Sequence, residues 1–120
     1  MSTRQTLGRW GENLAAEYLQ NKGYEIVTRN LRNSFGEVDL LARDGEVLVF
    51  VEVKTRSSKK FGYPEEAVDA VKLEHIIAAA EDYLQEQSAS AVDWRVDVIA
   101  VRKLKSGKSP EIMHFENVIN

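Results

Sequence analysis

The sequence contains no cysteine, and only two of its 120 residues are histidines. Disulfide bonds, thiolate nucleophiles and zinc–sulfur sites are therefore excluded, and the absence is typical of a reducing compartment. His75 and His114 have no partner histidine at a spacing typical of a metal site, so we expect neither to bind metal. Long apolar runs are also missing, and Met1 to Arg9 lacks the apolar core of a signal peptide. We therefore expect a cytoplasmic protein with no membrane partner.

The sequence has few positive charges relative to negative ones. It contains 16 lysines and arginines and 19 aspartates and glutamates, for a net charge of −3. This balance argues weakly against nucleic-acid binding. Net charge does not describe local patches, however, and a group of active-site carboxylates would itself make the total more negative. Basic residues gather in two segments, which contain Arg29 and Arg32, and then Lys54, Arg56, Lys59 and Lys60. Charge alone therefore leaves a nucleic-acid partner open.

The chain length allows one domain with one core, and no linker or repeat divides residues 1–120. Hydrophobic spacing and turn residues predict the order α-β-β-β-α-β-β, an α/β fold with a mixed sheet flanked by helices. The expected elements are a helix at Leu7–Lys22, strands at Tyr24–Leu31, Glu37–Arg43 and Glu46–Thr55, a helix from an Asp69 N-cap to about Gln87, and strands at Trp94–Val101 and Ile112–Val118. Gly11 lies on the apolar face of the first helix, which indicates a close approach to another part of the backbone.

The third strand ends in charged residues. Alternation places Val47, Val49, Val51 and Val53 on one face, and Leu48, Phe50, Glu52 and Lys54 on the other. Both faces begin apolar, which is typical of a central strand covered on both sides. A charged pair at the end of a buried strand is costly unless it has partners, so Glu52 and Lys54 need an explanation.

The preceding turn predicts a partner for Glu52. If Asp44-Gly45 is a two-residue hairpin turn, Asp39 pairs with Phe50 and Glu37 pairs with Glu52. Asp39 and Glu52 are then diagonal neighbours on one face, with Cα atoms roughly 7–8 Å apart. Two such carboxylates can converge on one cation, and oxygen-only ligands favour Mg²⁺ or Mn²⁺ over zinc. A three-residue loop would shift the register and remove this arrangement.

Two short segments carry a family resemblance. Gly36-Glu37-Val38-Asp39-Leu40, followed by Phe50-Val51-Glu52-Val53-Lys54, resembles the catalytic motif of the PD-(D/E)xK nuclease superfamily, although Val38 replaces the leading proline. Other segments resemble the YraN-type family of uncharacterised bacterial proteins: Gly11-Glu12, Gly23-Tyr24, Arg29-Asn30, Phe61-Gly62 and Arg95-Val96-Asp97-Val98. The resemblance spans roughly Gly8 to Val98. It implies a restriction-endonuclease-like three-layer core, similar to that of archaeal Holliday junction resolvases.

The resemblance also implies roles. Asp39 and Glu52 would bind Mg²⁺ or Mn²⁺, Lys54 would be the superfamily lysine, and Glu12 would complete the acidic set. The implied activity is metal-dependent hydrolysis of DNA phosphodiester bonds, with branched or junction DNA favoured by analogy and a homodimer as the implied assembly. Basic side chains that we expect to contact the DNA backbone are Arg29, Arg32, Arg56, Lys59, Lys60 and Lys72.

Each candidate also has an ordinary structural interpretation. Glu52 and Lys54 could form an ion pair, Asp39 could end a turn, and Glu12 could be a solvated helix residue. A salt bridge accounts for Glu37 as well as a ligand role does, and we expect Asp97 to form an ion pair with an arginine. Lys72 and His75 could face DNA together or only solvent. A non-catalytic nucleic-acid-binding module with the same fold therefore remains the alternative, and an interaction subunit that needs a partner is a third.

Overall fold

The computed structural model describes residues 3–56, 70–88 and 92–119. The described chain forms, in order, α1 Thr3–Asn21, β1 Glu25–Asn33, β2 Gly36–Asp44, β3 Val47–Arg56, α2 Ala70–Glu86, β4 Trp94–Arg102 and β5 Glu111–Phe115. This order confirms the prediction, with the ends of the elements displaced by a few residues. The predicted N-cap at Asp69 lies outside the described residues. Neither described helix is long and apolar enough to cross a membrane.

The five strands form one sheet in the order β1-β2-β3-β4-β5. Only β3 and β4 run parallel, and the other neighbours are antiparallel, so the sheet is mixed as predicted. The helices cover opposite faces. The α1 core includes Leu19, Val49 and Val51, whereas the α2 core includes Phe50 and Ile76. Because β3 contributes to both cores, it is the central strand that its two apolar faces predicted.

Gly11 sets the approach of α1 to the sheet. A Cβ atom at this position would lie 1.9 Å from Thr55 Oγ1 in β3. The helix does approach the strand closely at Gly11, but the neighbour is the Thr55 side chain, so the predicted approach to backbone is wrong.

Val71 in the first turn of α2 is 60% exposed, although helical spacing of the apolar residues predicts it on the buried side with Ile76. Val71 precedes the buried Ile76 by five residues, which rotates it roughly 140° away on an α-helix.

The turn between β2 and β3 differs from the prediction by one residue. Asp44 pairs with Val47, so the turn residues are Gly45 and Glu46, and Gly45 alone has a positive φ, of 62°. This is the glycine position of a type II′ turn, whereas the prediction placed Asp44-Gly45 at the centre of the turn. The predicted pairing of Asp39 with Phe50 and of Glu37 with Glu52 is therefore wrong.

The corrected register moves every cross-strand partner by two residues. Leu41 pairs with Phe50 and Leu40 with Val51. Because a shift of two residues keeps each side chain on its own face, Asp39 still faces Glu52.

Candidate active site

The candidate site lies where β2 and β3 stop pairing. The last backbone pair is Leu40 with Val51, and beyond it the Val53 N–H donates to Asp39 Oδ2 over 2.8 Å. Val38 and Leu40 pack into opposite cores, so β2 does not alternate regularly around Asp39. A carboxylate thus replaces the carbonyl that would normally continue the ladder. The hydrogen bond holds Asp39 at the gap between the two strands.

The environment of Asp39 disfavours its ionised form. The pKa of Asp39 is raised to about 7, chiefly by burial and also by the negative charges of Glu52 and Glu12, while the hydrogen bond from the Val53 N–H opposes the rise. Two carboxylates this close do not both ionise freely without a counter-charge. The pair can therefore share a proton or hold a cation between its oxygens.

Glu52 is the buried partner of this pair, with only 3% of its surface exposed. Its Oε2 lies 3.3 Å from Lys54 Nζ and 3.4 Å from Lys72 Nζ. Lys54 is thus on the side of β3 that alternation predicted. Lys72 approaches from the first turn of α2, which the sequence did not indicate, because it assigned this residue to the DNA backbone together with His75.

Glu12 on α1 lies near enough to Glu52 for their charges to interact, but it does not group with the pair. Burial raises the pKa of Glu12, Glu37 and Glu52 add to the effect, and Arg29 opposes it. Within residues 3–56, 70–88 and 92–119, no three aspartate, glutamate, histidine or cysteine side chains group closely enough to hold one metal ion. The expected set of three ligands is therefore not assembled, and a ligand role for Glu12 stays a prediction.

The donor set that is assembled fits a hard divalent cation. Asp39 and Glu52 offer only carboxylate oxygens and are brought together by β2 and β3. Mg²⁺ is commonly held by one or two protein carboxylates, with water and substrate phosphates completing its shell. Lys54 and Lys72 supply positive charge beside these oxygens. The donor set is therefore chemically suited to a cation with a phosphate beside it.

Of the basic residues predicted to contact DNA, Arg29 and Arg32 lie on β1. Arg29 Nη1 donates to Asn13 Oδ1 of α1 over 2.6 Å. Arg32 pairs with Glu37 at 3.2 Å, which favours the structural interpretation of Glu37. Both arginines are exposed. Their contact with DNA stays a prediction.

The other basic residues predicted to contact DNA, apart from Lys72, come at or after the last residue of β3 in the sequence. Arg56 is exposed at the end of that strand, where its Nη1 donates to the carbonyl of Thr55 over 3.1 Å. Lys59 and Lys60 lie outside the described residues. The structure therefore brings Lys72 to the carboxylate pair and leaves Arg29, Arg32 and Arg56 on the surface.

A second polar cluster surrounds the fully buried Asp97 in β4. Arg95 Nε donates to Asp97 Oδ1 over 3.0 Å, which confirms the expected ion pair with an arginine. His114 Nε2 lies 2.7 Å from Asp97 Oδ2, and the Asn117 N–H donates to Oδ1 over 2.9 Å. The sequence analysis missed His114, because its place opposite Ile99 depends on how β5 pairs with β4.

Comparison with known proteins finds relatives that match most of the chain. Residues 11–101 match the model of a family described as "Uncharacterised protein family UPF0102". A UPF0102 protein of Syntrophotalea carbinolica is 48% identical over 112 residues, covering 93% of this chain and 89% of the relative. A UPF0102 protein of Beutenbergia cavernae is 45% identical over 118 residues, covering 98% of this chain and 99% of the relative.

Among solved structures, the chain is similar to SfsA from Pyrococcus furiosus, described in complex with Ca²⁺. The TM-score is 0.43 at 17% identity; the match covers 94% of this chain, and the chain spans 63% of that chain's length. The family match covers most of the chain, and relatives share close to half of its residues. The chain therefore belongs to the UPF0102 family, the family that the resemblance to YraN-type proteins predicted.

Proposed function

We propose that this protein is a nuclease that hydrolyses phosphodiester bonds in DNA, with Mg²⁺ or Mn²⁺ held by Asp39 and Glu52. One observation carries the proposal: two carboxylates meet where β2 and β3 separate, and a lysine from the same strand lies 3.3 Å from one of them. Such a group is costly to keep in a core for stability alone, because buried charges contribute little net stability. A site for a cation and a phosphate accounts for it.

Each residue of the site has a distinct task in this proposal. The Val53 N–H fixes Asp39, and Lys54 donates hydrogen bonds that orient a water or neutralise a phosphate oxygen in the transition state. Bound Mg²⁺ or Mn²⁺ would polarise the scissile phosphate and lower the pKa of an attacking water. Glu12 would complete the acidic set, as the resemblance implies, and because it does not group with the pair it would act through a bridging water.

Affinity for DNA would come from the surface cations near the site. Arg29, Arg32 and Arg56 are exposed, and contacts from such side chains to phosphates give binding that weakens with salt and reads little base sequence. Lys59 and Lys60 would add to them. The resemblance to junction resolvases makes four-way junction DNA the substrate of first choice, and it motivates a measurement of mass in solution to test for a homodimer.

The test is a cutting assay on duplex, single-stranded and four-way-junction DNA with Mg²⁺, Mn²⁺ or EDTA. We expect metal-dependent cutting by the wild type, and a loss on the order of 100-fold or more in Asp39→Ala and in Glu52→Ala. The matched control is Glu81→Ala, which removes an exposed carboxylate from α2 and should leave cutting unchanged.

Two results would contradict the nuclease proposal. Binding without cutting, equal in the wild type and both variants, would support the non-catalytic nucleic-acid-binding module. Cutting that survives both substitutions would show that the activity comes from another site or from a contaminant.

A further inference from the structure

Lys72 forms an ion pair with a carboxylate that is almost fully buried. Its Nζ lies 3.4 Å from Oε2 of Glu52, the same oxygen that Lys54 Nζ approaches at 3.3 Å. Two ammonium groups from two different elements, β3 and α2, therefore converge on one oxygen of a buried carboxylate. One of them would suffice to neutralise Glu52.

Exposure separates the two lysines. The Lys54 side chain is 25% exposed and stands on the central strand, whereas the Lys72 side chain is 43% exposed and stands on the first turn of α2. A long, flexible side chain at the solvent edge can change its partner at little cost, while a side chain packed on a strand is more restricted. Of the two cations, Lys72 is thus the one that can more easily change its partner.

The charges of the site explain why a mobile cation is useful. With Asp39 and Glu52 both ionised, the two lysines balance the two carboxylates, and a bound divalent cation then leaves the group with two positive charges in excess. The transition state of phosphodiester hydrolysis carries two negative charges on the phosphate, one from the diester and one from the attacking hydroxide. Glu12 is a third carboxylate near the site, and the positive charge of Arg29 offsets part of its negative charge.

A cation and an ammonium group also compete for the same oxygen. A divalent cation bound to Glu52 would repel a nearby ammonium, and the repulsion is large in a partly buried site. The more mobile lysine would then turn towards the nearest negative charge, which in a complex with DNA is the phosphate.

We propose that Lys72 is a second active-site lysine, which neutralises Glu52 in the protein without bound cation and contacts the scissile phosphate once cation and DNA are bound. This inference rests on the proposed nuclease function. It gives Lys72 a part in the reaction itself, beyond a general contact with the DNA backbone.

The first measurement needs no catalysis. Mn²⁺ binding to the cation-free full-length protein is titrated by calorimetry for the wild type, Lys72→Met, Lys72→Arg and Lys105→Met. Because Lys72→Met removes a competitor for Glu52, we expect it to bind Mn²⁺ several-fold more tightly than the wild type. Lys105→Met removes an exposed lysine on the loop after β4 and controls for the change in total charge. Circular dichroism verifies that each variant is folded.

The second measurement is the single-turnover rate of DNA cutting. We expect Lys72→Met to cut on the order of 100-fold more slowly at saturating Mn²⁺, Lys72→Arg to recover part of the rate, and Lys105→Met to match the wild type. Tighter Mn²⁺ binding together with slower cutting supports the proposal, because a purely structural lysine would not produce the first effect.

The opposite outcomes overturn the proposal for Lys72. Mn²⁺ affinity in Lys72→Met that equals or falls below the wild type excludes competition at Glu52, and an unchanged cutting rate excludes contact with the phosphate. If the wild type cuts no DNA, the nuclease function itself fails. The Mn²⁺ titrations then still decide whether Lys72 competes with a cation for Glu52.

Discussion

At the scale of single residues, the site depends on how Asp39 is held. Its carboxylate takes the place of a backbone acceptor by binding the Val53 N–H, and it lies against a second carboxylate in a partly buried position. In a protein without bound cation this is an unfavourable place for a negative charge. The molecule therefore gives up stability at neutral pH to keep two carboxylates together, which is common at functional sites.

The pH dependence of stability tests this cost in the presence of EDTA. The pKa of Asp39 is raised from 3.8 in the unfolded chain to about 7 in the folded protein. The folded state then binds more protons between these values, so the free energy of unfolding falls as pH rises from 3.8 to about 7. Asp39→Asn removes the charge and keeps an acceptor for Val53. We expect the variant to be more stable than the wild type at pH 8 by roughly 1–2 kcal/mol, discounted for partial exposure.

Urea unfolding of both proteins at pH 4 and pH 8 measures the difference. The gain should disappear at pH 4, because Asp39 is protonated in the folded wild type there. A variant less stable than the wild type at pH 8 would show that the ionised carboxylate stabilises the fold, and that its environment does not raise its pKa.

At the scale of elements, the contact between α1 and β3 positions the helix that carries Glu12. Gly11 precedes Glu12, and a Cβ atom there would lie 1.9 Å from Thr55 Oγ1 and 3.0 Å from Thr55 Cβ. Gly11→Ala must therefore push the helix from the strand or rotate the threonine. We expect a loss of about 2 kcal/mol in the free energy of unfolding, as for other overpacked sites.

Two further variants serve as controls for the contact between Gly11 and Thr55. Gly8→Ala, three residues earlier in α1, meets no atom within 4 Å and should gain up to roughly 1 kcal/mol from helix propensity. Removing the threonine hydroxyl and methyl in Gly11→Ala/Thr55→Ala should recover most of the loss. Equal stability of Gly11→Ala and the wild type in urea unfolding would exclude a steric role for this glycine.

The sequence predicted features that depend on local pattern. Glu52 and Lys54 share a face because strand residues alternate. Asp39 reaches Glu52 although β2 does not alternate regularly between Val38 and Leu40, and its hydrogen bond with the Val53 N–H holds it there. The turn itself was misplaced, because a glycine with positive φ fits either central position of a two-residue turn. Lys72 could not be placed, because its distance from Glu52 depends on where α2 starts relative to the end of β3. His114 likewise needed the pairing of β5 with β4.

At the scale of the whole molecule, Asp97 joins segments that are far apart in the chain. Through Arg95 the cluster reaches Tyr24 before β1, at 2.7 Å, and Asp44 at the end of β2, at 3.4 Å. Through His114 it reaches Lys22 after α1, at 3.1 Å. No buried polar side-chain atom lacks a hydrogen-bond partner in the ranges that the structure describes. The cluster thus fastens the C-terminal end of α1 to the sheet, and Asp97, in register with Val51, lies on the face of the sheet opposite Glu52.

Asp97 and Asp39 therefore respond to pH in opposite directions. Burial raises the pKa of Asp97, but hydrogen bonds from His114, Arg95 and Asn117 outweigh it and hold the pKa below the ordinary 3.8. The stability that Asp97 contributes is present above pH 3.8 and is lost as pH falls through its lowered value. Asp97→Asn leaves Arg95 without a buried counter-charge, which typically costs about 3 kcal/mol.

Urea unfolding at pH 7 should therefore show a large loss for Asp97→Asn, and a smaller one at pH 3, where part of the wild-type contribution is already gone. The matched control is Glu111→Gln, which breaks the more exposed ion pair with Arg102 between the same two strands and should cost less than about 1 kcal/mol. Because Asp97 does not contact the carboxylate pair, folded Asp97→Asn should keep wild-type cutting rates and Mn²⁺ affinity at low temperature. A loss of cutting in protein shown to be folded would mean that this cluster also governs the geometry of Asp39 and Glu52, and the two clusters would have to be treated as one unit.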